Sequence, residues 1–233
     1  MEKSSKIYLL ITIVCAVLVV GLCVFVIANH KEVKLTDGQK FKEEYESYNN
    51  GKYEENNKKL FKVSIDEDNP MIYKTGKEIL DVLNKEKAYV FFGFATDPNT
   101  RNVIETLLES AKEEDVDKIY YVDIESMRDE YEFDGSIIPK QTAKGTDAYY
   151  KILDFFGTKL EKYFVPDKNG NLYSTSVTRL ETATLIAVDN HKIKDMHVGT
   201  NENHTDIFKK LSNEEKESLE DIYENLFESI KKD

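Results

Sequence analysis

From Ile7 to Ala28 the chain reads IYLLITIVCAVLVVGLCVFVIA, with no charge, no proline and no amide side chain. As a helix, at about 1.5 Å per residue, this stretch is roughly 33 Å long, enough to cross a bilayer with some tilt. It is apolar all round, whereas a helix packed on a soluble core keeps a polar face. A cleaved signal peptide is the competing reading. Its apolar region is shorter and ends in a small-residue cleavage site, of which Val26 and Ala28 offer only a weak version. Neither Cys15 nor Cys23 follows the small residue that a lipoprotein site needs.

The span therefore divides the chain. Residues 1–6 are expected as a cytoplasmic tail, 7–28 as a transmembrane signal anchor, 29–60 as a tether with a short helix, and 61–233 as a soluble domain. Lys3, Lys6 and the terminal amine precede the span and Lys31 and Lys34 follow it, so charge tips the N-terminus only slightly towards the cytoplasm.

Charge excludes two classes of partner. The chain has 32 Lys+Arg against 44 Asp+Glu, a net of −12. Only Glu2, Lys3 and Lys6 precede the span, so the acidity belongs to the body. Nucleic acid and anionic lipid both reward basic patches, and neither is expected as a partner of this body. The two cysteines, Cys15 and Cys23, both lie in the span. The body thus has no disulfide, no thiol nucleophile and no thiolate metal site of its own.

Periodicity gives the elements. Phe41, Tyr45 and Tyr48 mark a short amphipathic helix, Asn49–Lys59 a polar loop and Lys62–Ile65 a strand. Thr75 can cap a helix over 76–84 with Ile79, Leu80 and Leu83 inward. The apolar run at 87–94 (KAYVFFGF) reads as a strand buried on both faces. A helix bearing Val103, Ile104, Leu107, Leu108 and Ala111 follows, then a strand over 118–124. Strand, helix and strand at this spacing make a βαβ unit. Residues 125–145 look irregular, and a helix is expected from Thr146. Asn169-Gly170 marks a hairpin between 162–165 and 172–174, and Asp189-Asn190 turns a buried strand (184–188) into an antiparallel partner (192–198). A terminal helix over 213–232 carries Leu219, Ile222, Leu226 and Ile230. The fold class is α/β, a mixed central sheet flanked by helices.

Function is expected where the 87–94 strand meets the next helix, since ligands of open α/β sheets gather at strand C-termini and helix N-termini. The sequence there is GFATDPNTRNVIETLL. With EDNPMIYKTGKEI before that strand, KIYYVDI after it and HVGT near the end, the body from about Phe41 resembles the thioredoxin-like family. The nearest likeness is its membrane-anchored branch in low-GC Gram-positive bacteria, sometimes labelled bacteriocin-transport accessory proteins. The resemblance implies a thioredoxin-like fold with the body outside the cytoplasm. It also implies a groove between a dithiol loop and a cis-proline loop.

Both hallmarks of that family are missing. The Cys-Pro-x-Cys motif falls on Asp97, Pro98, Asn99 and Thr100, of which only Pro98 fits. Thiol–disulfide exchange needs a thiolate, which neither Asp97 nor Thr100 can supply. Ala183 stands at the cis-proline position, and a cis bond before a non-proline costs about 3–4 kcal/mol, so a trans Thr182–Ala183 peptide is expected. Asp97 is a good N-cap and Pro98 suits the first helical position, which explains both without chemistry. The sharper alternative has Asp97 and Thr100 acting as ligand or nucleophile, for which a base must stand beside the threonine. No spacing ties His191, His197 or His204 to it, and Asp167, Asn169 and Gly170 lack the glutamate that would complete a calcium loop. No phosphate-binding glycine loop is present.

The expectation is a non-enzymatic, redox-inactive module without cofactor or metal. It is anchored through Ile7–Ala28 and binds a protein or peptide at Asp97, Pro98, Asn99, Thr100, Thr182 and Ala183. The alternative is an oxidoreductase-related enzyme with residual or altered activity.

Overall fold

The computed structural model describes residues 34–54, 56–85 and 87–231, together with Tyr8, Ala16, Val19 and Val20. The expected span over 7–28 otherwise lies outside the described residues. Among those described, no helix is long and apolar enough to cross a membrane. The folded unit runs from Thr36 to Asp233.

That unit is built on a five-stranded mixed sheet. In chain order its strands are β1 (Met71–Tyr73), β2 (Ala88–Gly93), β3 (Ile119–Asp123), β8 (Thr184–Asp189) and β9 (Lys192–Val198), and they lie side by side as β1-β3-β2-β8-β9. β3 runs parallel to both β1 and β2, while β8 is antiparallel to β2 and to β9. β2 sits in the middle, which is why its sequence is apolar without alternation: both its faces are covered.

Side-chain alternation sorts the core into two layers. Phe91, Tyr121, Leu185 and Ala187 face one way, towards α1 (Asp37–Ser47), α3 (Pro98–Glu113) and α5 (Asn213–Glu228). Val90, Phe92, Val122, Ile186 and Val188 face the other way, towards α2 (Gly76–Lys85) and α4 (Asp147–Phe156). α1 is part of this body and not of the tether. Phe41 and Tyr45 are fully buried, and Phe41 meets the Tyr121 ring edge-on at 4.9 Å between centroids. Tyr48, the third residue of its expected stripe, is exposed.

Three expectations need correction. Lys62–Ile65 is extended but is no strand, because side chains take the place of a neighbouring strand. Asn49 Oδ1 accepts from Val63 N–H, Glu105 Oε1 from Ser64 N–H and Glu46 Oε1 from Ile65 N–H. The edge strand on this side is β1, whose three residues stand in the sequence only as part of a longer motif. The stretch 125–145 is not irregular: a 3-10 turn (Glu125–Met127) leads into a hairpin of β4 (Glu130–Glu132) and β5 (Lys140–Ala143). Finally, the β8–β9 turn is centred one residue later than expected, on Asn190 and His191. Both have positive φ (49° and 61°), as a two-residue hairpin turn requires.

The expected hairpin at 162–174 is present as β6 (Lys162–Pro166) and β7 (Leu172–Thr178). It packs on the β4–β5 hairpin through Tyr131 against Tyr163, 6.0 Å between centroids, and Phe133 against Tyr173, at 4.2 Å. Thr146, Thr36 and Ser212 cap α4, α1 and α5, the last two in full capping boxes.

Candidate functional site

Asp97 ends the loop after β2 and caps α3. Its Oδ2 accepts from Thr100 N–H at 2.6 Å and from the Thr100 hydroxyl at 2.7 Å, and Pro98 occupies the first helical position, where no N–H is needed. Thr182, in the loop before β8, faces this carboxyl and favours its ionised form. Asp97 thus stands where the loop before α3 meets the loop before β8. Gly93 makes the close approach possible, since a Cβ there would lie 2.8 Å from Thr100 Cγ2.

The second loop is held as firmly. The Leu180 N–H donates to the Tyr149 hydroxyl at 3.2 Å, reaching across from α4, and the Thr184 hydroxyl donates to the Glu181 carbonyl at 2.7 Å. The Thr182–Ala183 peptide is trans, like every peptide among the described residues. Ala183 is buried, and its carbonyl accepts from Gly199 N–H at 3.0 Å. Thr184 is paired on both sides, with Phe92 and with Val198. An added strand therefore finds no free edge at Thr184, and any pairing with a guest chain is confined to residues before Ala183.

The electrostatics are unusual for a surface loop. Asp97 is only 6 % exposed. Burial pushes its carboxyl up from the ordinary carboxylate range, opposed by the hydrogen bonds from Thr100 and Thr182 and by the Arg128 guanidinium. Burial and the neighbouring Arg179 both draw Arg128 down. Arg128 lies over the Phe94 ring, 4.7 Å from its centroid, and Arg179 over the Tyr163 ring at 4.1 Å. Sequence reasoning passed over both. The available signal was scarcity: the chain has only three arginines among its 32 basic residues.

The third, Arg101, is structural. It is 2 % exposed yet has no carboxylate partner. Its guanidinium donates instead to the carbonyls of Phe61, Tyr45 and Ala95 and to Asn49 Oδ1, using all five N–H groups. This clamp fixes the C-terminal end of α1 and the loop that carries Asp97.

The Asp97–Thr100 pair has the contact distance of a base and a hydroxyl nucleophile. Thr100 is nevertheless 0 % exposed, so its oxygen has no access to a substrate. The histidines are elsewhere. His204 bridges Asn102 at 3.1 Å and Glu215 at 3.0 Å, His197 contacts the Gly199 carbonyl at 3.1 Å, and His191 packs edge-on against Phe155. No group of three metal-ligating side chains occurs among the described residues.

The structure thus brings Asp97, Thr100 and Thr182 together, with Asp97 hydrogen-bonded to Thr100, Pro98 and Ala183 buried and Asn99 half-buried in the first turn of α3. No family model, curated protein or solved structure matches the chain.

Proposed function

We propose that this body is a thioredoxin-like module without a redox dithiol. It is tethered by residues 7–28 with the body outside the cytoplasm, and it binds a protein or peptide across the 95–100 and 179–183 loops. The observation that carries the reading is Asp97. It stands where the resemblance puts the attacking cysteine, and its carboxyl caps α3 through Thr100 and faces Thr182 of the second loop. The mixed sheet with helices on both faces, with α3 beginning at the end of β2, supports the fold assignment. The absence of cysteine from the body supports the loss of thiol chemistry.

Two assays on the full chain test it. Tagged protein is used to capture partners from detergent-solubilised membranes, with a variant carrying Asn99→Trp and Thr182→Trp as the control for the loops. A partner retained by the wild type and lost by the variant is the expected result; no specific partner under any condition overturns the reading. Insulin reduction by the same preparation should stay at the background rate. Turnover abolished by Asp97→Ala would instead establish the enzymatic alternative.

A further inference from the structure

The arginine pair at this site points to the chemistry of the partner, an inference that rests on the peptide-binding reading above. Arg101 is fully engaged in its clamp, so Arg128 and Arg179 are the only arginines left in the chain; Arg128 faces Asp97, and both face Glu181, next to Thr182. Each guanidinium is laid flat over an aromatic face. Each has its Nε buried without a hydrogen-bond partner. Arg179 donates one long bond, 3.4 Å from Nη2 to the Asp129 carbonyl. Neither forms a contact ion pair with a carboxylate among the described residues. Asp97 is engaged by Thr100, and Glu181 sets its charge against both arginines without an ion-pair contact to either.

Two like charges held close together, half-buried and with donors unused, are unfavourable by themselves. The rest of each planar guanidinium, presented on an aromatic platform, matches a carboxylate, whose arrival relieves the repulsion. Beside the pair, an open cleft of about 800 Å³ between the two hairpins is lined by Tyr131, Phe133, Tyr163 and Val165, and also by Glu132, Asp134 and Asp167, so the carboxylate has its place at the arginines and not in the cleft. It shares Tyr163 with Arg179 and gives apolar footing for neighbouring residues of a bound chain. We propose that Arg128 and Arg179 together receive a carboxylate of the bound peptide, from an acidic side chain or from its C-terminus.

Three arginines give three Nε–Hε signals, so arginine-selective ¹⁵N labelling of the full chain in detergent micelles reads the site directly. The probes are acetyl-Ala-Ala-Glu-Ala-Ala-amide, its glutamine analogue, and that analogue with a free C-terminal carboxylate. A carboxylate peptide should move the Arg128 and Arg179 signals and leave Arg101 still. The glutamine amide should bind about tenfold or more weakly, as the loss of a charge-assisted pair implies. Response to the glutamate peptide alone assigns a side-chain carboxylate; response to the free terminus alone assigns a chain end. The Arg128→Gln/Arg179→Gln variant should lose the preference while its Arg101 signal stays in place, which verifies the fold. Equal binding of the glutamate and glutamine peptides overturns the proposal, as does an equal response to inorganic phosphate or no response at either arginine. Capture of the membrane partner by that double variant at wild-type level also overturns it, while leaving the binding groove itself standing.

Discussion

Replacing Arg101 with methionine tests the packing that holds the site loop. Methionine keeps most of the side chain's length and apolar body but removes every donor. Three buried or half-buried carbonyl oxygens, those of Phe61, Tyr45 and Ala95, then lose these donors, and Asn49 Oδ1 keeps only Val63 N–H. A buried acceptor left unsatisfied costs about 1–3 kcal/mol. These losses are not additive, because the loop can relax and because an unpaired buried charge is removed with the donors. The net expected loss is about 3 kcal/mol, the upper end for one buried group left unmet. Against a typical stability of about 5–15 kcal/mol this is a large fraction. Arg101→Lys keeps the charge but not the fork and should lose about 2 kcal/mol. Urea unfolding of the full chain in detergent, followed by tyrosine fluorescence, is a suitable assay because the chain has 14 tyrosines and no tryptophan. A loss below about 1 kcal/mol for Arg101→Met would refute the reasoning, since it would mean that these carbonyls find water or other donors at once.

Asp97→Ala should lose about 1–2 kcal/mol as a helix cap is removed. Asp97→Asn should gain stability relative to the wild type as pH rises through the carboxylate range. The folded state holds the Asp97 proton more tightly than the unfolded one, so ionisation weakens the fold; urea midpoints across pH 3 to 7, bracketed by the ordinary carboxylate value of about 4, check the sign. Glu215 behaves oppositely. Hydrogen bonds from Ser212 and His204 hold its carboxyl down at about 2, so its contribution is complete above the ordinary carboxylate range and is lost as pH falls towards that value. Glu215→Gln should flatten that acid limb in the same titration. Gly93→Ala forces a Cβ to within 2.9 Å of the Thr100 hydroxyl and should cost about 1–3 kcal/mol, seen as a lowered urea midpoint at unchanged slope.

The elements with strong periodicity were legible in the sequence. β2 and β8 showed as apolar runs because both their faces are covered, and α3 and α4 announced their starts with Asp97-Pro98 and Thr146. β1 was hidden because three residues on a sheet edge give too short a pattern. Val63 and Ile65 alternate inward as a strand would, yet the N–H groups of 63, 64 and 65 pair with side chains 14, 41 and 19 residues away, which no local pattern reveals. The β4–β5 hairpin was illegible because its strands, EYE and KQTA, bury almost nothing.

At the site, the cap formed by Asp97 on Thr100 followed from local chemistry. The approach of Thr182 did not, since it brings together loops 85 residues apart in sequence. Arg101 could have been suspected, because it precedes Ile104 by three residues on the apolar stripe of α3. Arg128 and Arg179 reach the site from a 3-10 turn and a hairpin end, where sequence patterns carry no information about direction.

The central claim is that the 95–100 and 179–183 loops are a binding surface and not a reaction centre. Photo-crosslinking in intact membranes tests it most directly, with benzoylphenylalanine placed at half-buried Asn99 and, as the control, at exposed Asp221 on α5. The account predicts a discrete protein adduct from position 99 that is absent from position 221 and fades when Arg128 and Arg179 are both changed to glutamine. The same adducts from both positions, or none from either, would contradict it.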